Sequence, residues 1–256
     1  DFVMASNTLD LARNVFASTA RGWRGTGADI KAKTPEKTLQ LYEFENCPYC
    51  RLVREVLTEL HLDAEIYPCP KNGTRFRPVV AEKTGKQQFP LLIDPNTGVE
   101  MLESGDIIEY LISHYGSGAE GGLKAPRALQ VASSGLASAW RGRRGTFARP
   151  SVQPEKLLEL WSFESSPFSR PVRELLCEME LPYLLHNLGK EQREDWGPPN
   201  LRPTLKPYAP VEGGKRAAFL ADKGQMQVPY LFDPNTGTGL FESADIMAYL
   251  VETYGE

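Results

Sequence analysis

Phe44-Glu45-Asn46-Cys47-Pro48-Tyr49-Cys50-Arg51 and Phe163-Glu164-Ser165-Ser166-Pro167-Phe168-Ser169-Arg170 are two versions of one motif, the first with a pair of thiols and the second with a pair of hydroxyls. Working outward from them, Pro35-Glu36-Lys37 recurs as Pro154-Glu155-Lys156, and Val53, Arg54 and Glu55 recur as Val172, Arg173 and Glu174 in the same register. Downstream, Asp94-Pro95-Asn96-Thr97-Gly98 returns as Asp233-Pro234-Asn235-Thr236-Gly237, Glu103-Ser104 as Glu242-Ser243, and Tyr110-Leu111 as Tyr249-Leu250. These later pairs lie further apart, so the second copy carries about twenty extra residues. The extra residues fall at roughly 187–214, where Pro198, Pro199, Pro203, Pro207 and Pro210 forbid a continuous helix. This stretch reads as an extended loop, either a solvated connection or a docking loop anchored by Trp196 and Tyr208.

Within each copy the apolar spacing predicts one order of elements. An alternating strand (Leu39, Leu41, Phe44; Leu158, Leu160, Phe163) runs into the motif, and a helix follows with Val53, Val56, Leu57 and Leu60, or Val172, Leu175, Leu176 and Met179, on one face. A strand at Ala64 to Tyr67, a helix at Pro78 to Lys83 and a strand at Pro90 to Ile93 come next. The Asp-Pro-Asn-Thr-Gly hairpin and a last helix, capped by Ser104 or Ser243, complete the unit. Strand, helix, strand, helix, hairpin, helix is an α/β sandwich with a four-stranded mixed sheet and helices on both faces. The chain therefore divides into a helical arm at 1–36, a domain at 37–117, a linker with a second arm at 118–155, and a domain at 156–256. The arms carry apolar stripes, Leu11, Val15, Phe16 and Trp23 on one and Leu129, Ala132, Leu136 and Trp140 on the other. The stripes are expected to pack against each other or the domains, or else to face a membrane or larger complex.

A net charge of −4 gives no electrostatic reason to expect nucleic acid as a partner. No stretch approaches the apolar length that spans a bilayer. Four cysteines with a single close pair suit reactive thiols in a reducing compartment, not a secreted disulfide framework, and His61, His114 and His186 lack metal-ligand spacing, so no metal is expected.

Cys47 follows a strand and opens a helix, so its sulfur can sit among free N–H groups at the positive helix end, near Arg51 and Arg54. Cys50, one turn in and more buried, is the resolving thiol. Proline at 90 and 229, at the start of a strand inside a regular sheet, predicts a cis peptide after Phe89 and Val228. Opposite Cys47, such a turn would leave Phe89 N–H and C=O free for an extended peptide. Glu103-Ser104 would offer a carboxylate, a hydroxyl and helix N–H groups to the ammonium and carboxylate of a γ-glutamyl group. Cys69 and Cys177 read as structural.

With these motifs in place, each domain resembles a glutaredoxin or the N-terminal domain of glutathione transferases, within the thioredoxin superfamily. The tandem arrangement is most similar to plant and algal proteins that are usually chloroplast-directed. The resemblance implies glutathione as cosubstrate or ligand, Cys47 as the attacking and Cys50 as the resolving cysteine, and a glutathione site of Tyr49, Phe89, Pro90, Glu103 and Ser104. It implies a second site at Ser166, Val228, Pro229, Glu242 and Ser243. The function expected is glutathione-dependent thiol–disulfide exchange on protein disulfides or glutathionylated proteins, the second domain binding glutathione or a partner. Two alternatives stand beside it: a non-catalytic subunit of a larger chloroplast assembly, docked through the arms and the proline-rich loop, and a transferase-like conjugation through Ser166. The large helical domain that follows this unit in transferases has no counterpart in the sequence given.

Overall fold

The computed structural model describes residues 7–118, 126–139, 141–196 and 208–256. The first unit runs β1 (Leu39–Glu43), α2 (Pro48–Glu59), β2 (Ala64–Pro68), α3 (Arg77–Thr84), β3 (Leu91–Asp94), β4 (Val99–Met101) and α4 (Ser104–Tyr115), preceded by the arm helix α1 (Asn7–Thr19). After a second arm helix, α5 (Arg127–Ala139), the second unit repeats the order: β5 (Leu158–Ser162), α6 (Arg170–Glu178), β6 (Tyr183–Asn187), α7 (Lys215–Lys223), β7 (Tyr230–Asp233), β8 (Thr238–Phe241) and α8 (Ser243–Tyr254). In each unit the first two strands are parallel and the last two antiparallel, the expected mixed pattern.

The units do not keep separate sheets. β2 and β6 pair antiparallel, Ala64 opposite Leu185 and Ile66 opposite Tyr183, so a single eight-stranded sheet runs β4-β3-β1-β2-β6-β5-β7-β8. Each of these strands would otherwise be an edge with unpaired backbone groups, and their pairing removes both edges. One apolar core runs under the joint, from Leu41, Leu57 and Ile66 to Leu160, Leu176 and Tyr183.

The Asp-Pro-Asn-Thr-Gly hairpins are fixed from the last helix. Asp94 accepts hydrogen bonds from Tyr110 Oη at 2.7 Å, Tyr115 Oη at 2.5 Å and the backbone N–H of Asn96 at 2.8 Å. Asp233 does the same with Tyr249, Tyr254 and Asn235. Burial pushes the Asp94 carboxyl up, but the Tyr115, Tyr110 and Asn96 hydrogen bonds outweigh it and hold it below the ordinary aspartate range. A folded-state value below the unfolded one contributes stability above the unfolded value and loses it as pH falls through the folded value. Asp94→Asn is therefore expected to cost about 1–3 kcal/mol at neutral pH. In urea unfolding, the gap to the parent should close as pH drops below the ordinary aspartate value of about 3.9; a gap independent of pH would refute this.

Of the two expectations for the apolar stripes of the arms, burial and an outward face, Val15, Phe16, Leu129 and Leu136 follow the second, while Leu11 and Trp23 are half-buried. α1 buries Asn14, Ala17 and Ser18, and α5 buries Ser134, Ala137 and Ser138, while Val15, Phe16, Leu129 and Leu136 stay exposed. The apolar stripes do not seal the arms; small and polar residues do, because the surface they meet is main chain and buried guanidinium. Each arm also reaches across. Arg21, after α1, forms a two-pronged pair with Glu55 of the first unit at 2.8 and 2.6 Å, while Ser18 Oγ donates to Ser165 O of the second at 2.8 Å. Arg141, after α5, pairs in the same way with Glu174 of the second unit, while Ser134 Oγ donates to Pro48 O of the first at 2.8 Å. Trp140 lies outside the described residues.

Of the proline-rich insertion, residues 197–207 lie outside the described residues. On its flanks, a 3-10 turn at Arg193–Asp195 places Asp195, whose carboxylate accepts from Tyr208 Oη at 2.7 Å, and Trp196 is exposed. No helix among the described residues is long and apolar enough to cross a membrane.

Candidate functional site

Cys47 sits at the N-cap of α2 in extended conformation, with proline in the first turn, so the chain turns from strand to helix at the sulfur itself. Cys47 Sγ accepts the backbone N–H of Cys50 at 3.3 Å. The Cys50 side chain donates to it as well, and this bond, the N–H groups of Cys50 and Tyr49, and the Arg54 charge together hold the Cys47 thiol below its ordinary value against the opposing effect of burial. Cys50 is fully buried, and burial followed by its bond to Cys47 pushes its own thiol well up. Of the two arginines expected near the sulfur, Arg54 contributes to this balance. Arg51 turns away to Glu55 at 3.4 Å and to Ala17 O at 3.2 Å.

A cleft of about 1060 Å³ opens over Cys47. It is lined by Phe44, Cys47, Pro48 and the exposed Tyr49, and by Gln87, Gln88, Phe89, Glu103 and Ser104, with the Phe44 and Phe89 rings edge to face at 6.2 Å. The Phe89-Pro90 peptide is cis, as is Val228-Pro229. Among the described residues, neither Phe89 N–H nor Phe89 C=O makes a backbone hydrogen bond. The structure thus gathers all of Cys47, Tyr49, Phe89, Glu103 and Ser104 around one space, with Pro90 buried directly behind Phe89 and Cys50 beneath Cys47.

One detail departs from expectation. Ser104 does not cap α4: Glu103 occupies the cap position at φ 71, makes no side-chain cap bond, and Ser104 is the first helical residue, with Glu242 and Ser243 arranged alike. The left-handed turn at Glu103 directs its carboxylate to Gln88, whose Nε2 donates to it at 2.5 Å. Ser104, at the start of α4, lines the cleft beside Glu103.

Three residues at or beneath the site lie outside those the motifs point to. Lys71 lines the cleft from the loop after β2; Arg77, also in the wall, donates to Cys69 O and Pro70 O and lies 4.7 Å over the Phe89 ring. Glu43, at the end of β1, is buried under the motif against Arg54, and its counterpart in the second unit is Ser162. Burial, opposed by Arg54 and reinforced by the Glu45 and Cys47 charges, raises Glu43 to about 8. Comparing the repeats position by position would have exposed Glu43, because the acid is present only in the copy that keeps its thiols.

In the second copy, Ser166 Oγ accepts from Ser169 N–H at 3.2 Å and from Ser169 Oγ at 2.9 Å, the hydroxyl counterpart of the thiol pair, and Ser166 is buried. Gln227 donates to Glu242 as Gln88 does to Glu103. Beneath both motifs the units exchange charges: Arg54 Nε meets Glu164 Oε2 at 2.9 Å, and Arg173 Nη2 meets Glu45 Oε1 at 3.1 Å. Against the upward push of burial, Arg173, Arg54 and Arg51 hold Glu164 down to about 2. Cys69 and Cys177 are buried, and burial raises both thiols well above the ordinary value, consistent with structural roles.

The sequence profile of the glutathione S-transferase N-terminal domain matches residues 41–120 and again residues 160–256, most of the chain in two copies. The chain belongs to the glutathione S-transferase N-terminal domain family. The two matches coincide with the two β-α-β-α-β-β-α units, so this is a tandem member with a thioredoxin-like fold. Among solved structures, a glutathione transferase of Bombyx mori, BmGSTD1, is 26% identical, with 37% of this chain and 43% of that one covered and a TM-score of 0.31. The chain thus spans less than half the length of that transferase. No curated protein matches the chain.

Proposed function

We propose that the chain is a glutathione-dependent thiol–disulfide oxidoreductase in which Cys47 is the nucleophile. The observation that carries this reading is the placement of Cys47 Sγ, bonded by Cys50 N–H at 3.3 Å, in a cleft that Phe89, Glu103 and Ser104 also line. In the reading, Phe89 pairs with the cysteinyl part of glutathione, Glu103 and Ser104 take the γ-glutamyl head, and Lys71, which also lines the cleft, is a cation for the glycyl carboxylate. The Cys47 thiolate attacks the glutathione sulfur of a mixed disulfide; that S–S bond breaks, the substrate sulfur leaves as thiolate and takes a proton, and Cys47 becomes glutathionylated. A second glutathione thiolate then attacks the glutathionyl sulfur, releasing glutathione disulfide and the Cys47 thiolate. Attack by Cys50 on Cys47 is the competing route. It requires the fully buried Cys50 to lose its proton, which burial opposes, and in this reading the one-thiol route is the main one. Four free, buried thiols fit a reducing compartment.

The test is to mix the full chain with glutathione disulfide and locate adducts by mass spectrometry. Cys50→Ser should accumulate one glutathionyl group on Cys47, and the parent should convert slowly to a Cys47–Cys50 disulfide. Absence of any adduct at Cys47, or labelling at Cys69 instead, would sink the assignment.

A further inference from the structure

The two arms form a layer of their own, outside the helices that cover the sheet. α1 lies across both units: Ala17 O accepts from Arg51 of α2 at 3.2 Å and Asn14 O from Arg170 of α6 at 3.3 Å. α5 packs on α2 and alongside α1, and Arg21 Nη1, just after α1, donates to Gln130 O of α5 at 3.0 Å. The buried faces are equivalent, Asn14, Ala17 and Ser18 on one arm and Ser134, Ala137 and Ser138 on the other, so both helices turn their opposite faces outward. On α5 that face is Leu129, Ala132, Leu136 and Ala139, all exposed. Leu129 at 62% and Leu136 at 56% are the most exposed large apolar side chains among the described residues, and Phe16 of α1, at 42%, occupies the position equivalent to Leu136. After Arg127, α5 has no charged residue at all, whereas a helix face turned to water is ordinarily polar.

The margins of this face are basic. Between Glu120 and Glu155 the sequence holds no acid, in a chain whose net charge is −4. Arg127, in the first turn of α5 with Nη2 3.4 Å from Ser104 Oγ, and Arg143, beyond the end of α5, are both exposed. The charges of α1 are Asp10 and the exposed Arg13.

We propose that the outer face of α1 and α5 is a peripheral docking surface for a bilayer that carries anionic lipid. Phe16, Leu129 and Leu136 enter the boundary between headgroups and acyl chains, while Arg13 and Arg143 stay in the headgroup layer. Separate apolar pegs on an outer layer suit a fluid surface, which needs no matching shape. A second copy on the same face would oppose the arginines to one another across a twofold axis.

Co-sedimentation of the full chain with vesicles tests this, using phosphatidylcholine alone and phosphatidylcholine with about one third phosphatidylglycerol. The parent should bind the mixed vesicles at least about tenfold more tightly than the neutral ones and leave them as salt approaches roughly 1 M. Arg13→Gln and Arg143→Gln should each weaken that binding about fivefold. Leu129→Glu combined with Leu136→Glu should weaken it at least about a hundredfold, with the urea midpoint and the glutathionylation of Cys47 as in the parent. No binding of the parent to mixed vesicles, equal binding to both vesicle types, or parent-like binding by the leucine double variant would overturn the proposal. A lipid-free dimer of the parent that the same leucine substitutions dissociate would overturn it too, by assigning this face to a second copy.

Discussion

Cys47→Ser is expected to reduce turnover of glutathionylated substrates by at least about 10³-fold, because a hydroxyl at this site does not ionise and cannot displace a thiolate from sulfur. Cys50→Ser should keep much of the activity, since a hydroxyl at 50 still donates to the Cys47 sulfur and the one-thiol route does not use the second sulfur. Cys50→Ala should behave differently. It removes the donor that contributes most to holding Cys47 down. The pH profile of Cys47 alkylation reads this directly: the thiolate fraction rises through the Cys47 value, so the parent's midpoint should fall below that of a free thiol, about 8.5, and move upward in Cys50→Ala. A parent midpoint at the free-thiol value, or substantial turnover by Cys47→Ser, would remove the basis for calling this sulfur activated.

Arg54→Met is expected to cost about 3–5 kcal/mol, because it strands buried carboxylates without their partner. Arg54 is fully buried and binds Glu43, Glu164 Oε2 at 2.9 Å and Glu45 O at 3.0 Å, so a single guanidinium ties β1 and the motif of the first unit to the second. That loss is a large share of the roughly 5–15 kcal/mol by which a native protein is stable. The double variant Arg54→Met with Glu164→Gln should recover part of it, since one stranded charge is gone. Urea midpoints give the comparison, and a loss under about 1 kcal/mol would show that water or local rearrangement rehydrates the cluster. Where the variant remains folded, its Cys47 midpoint should rise, because the Arg54 charge favours the thiolate.

Within a unit, local pattern carried nearly all of the information. Alternation at Leu39 and Leu41, the proline after Cys47, the Asp-Pro-Asn-Thr-Gly turn and the two X-Pro steps each depend on neighbours close in sequence, and each appears where the pattern places it. The arms show where pattern fails. A stripe including Val15, Phe16, Leu129 and Leu136 left open whether it packs or faces outward, and the buried face is Asn14, Ser18, Ser134 and Ser138. Helical periodicity ranks side chains by transfer from water, and it has no means of knowing that the opposing surface offers Arg170, Pro48 O and Ser165 O as hydrogen-bond partners. Arg51, Arg54 and Glu55 were similarly unreadable as buried, because their burial depends on Glu164 and Arg21 from distant segments.

By itself, the sequence determined that this protein is a duplicated thioredoxin-like unit with thiol chemistry available in one copy and hydroxyls in the other, since strand, helix and turn signals and the identity of a nucleophile are local. Only the tertiary structure decided that β2 and β6 join the copies into one sheet, that each arm bridges both copies, and that Arg127 stands at Ser104. Those outcomes depend on which surfaces meet between segments distant in the chain, at a separation of 23 residues for Ser104 and Arg127 and 147 for Ser18 and Ser165, and no short-range pattern records them.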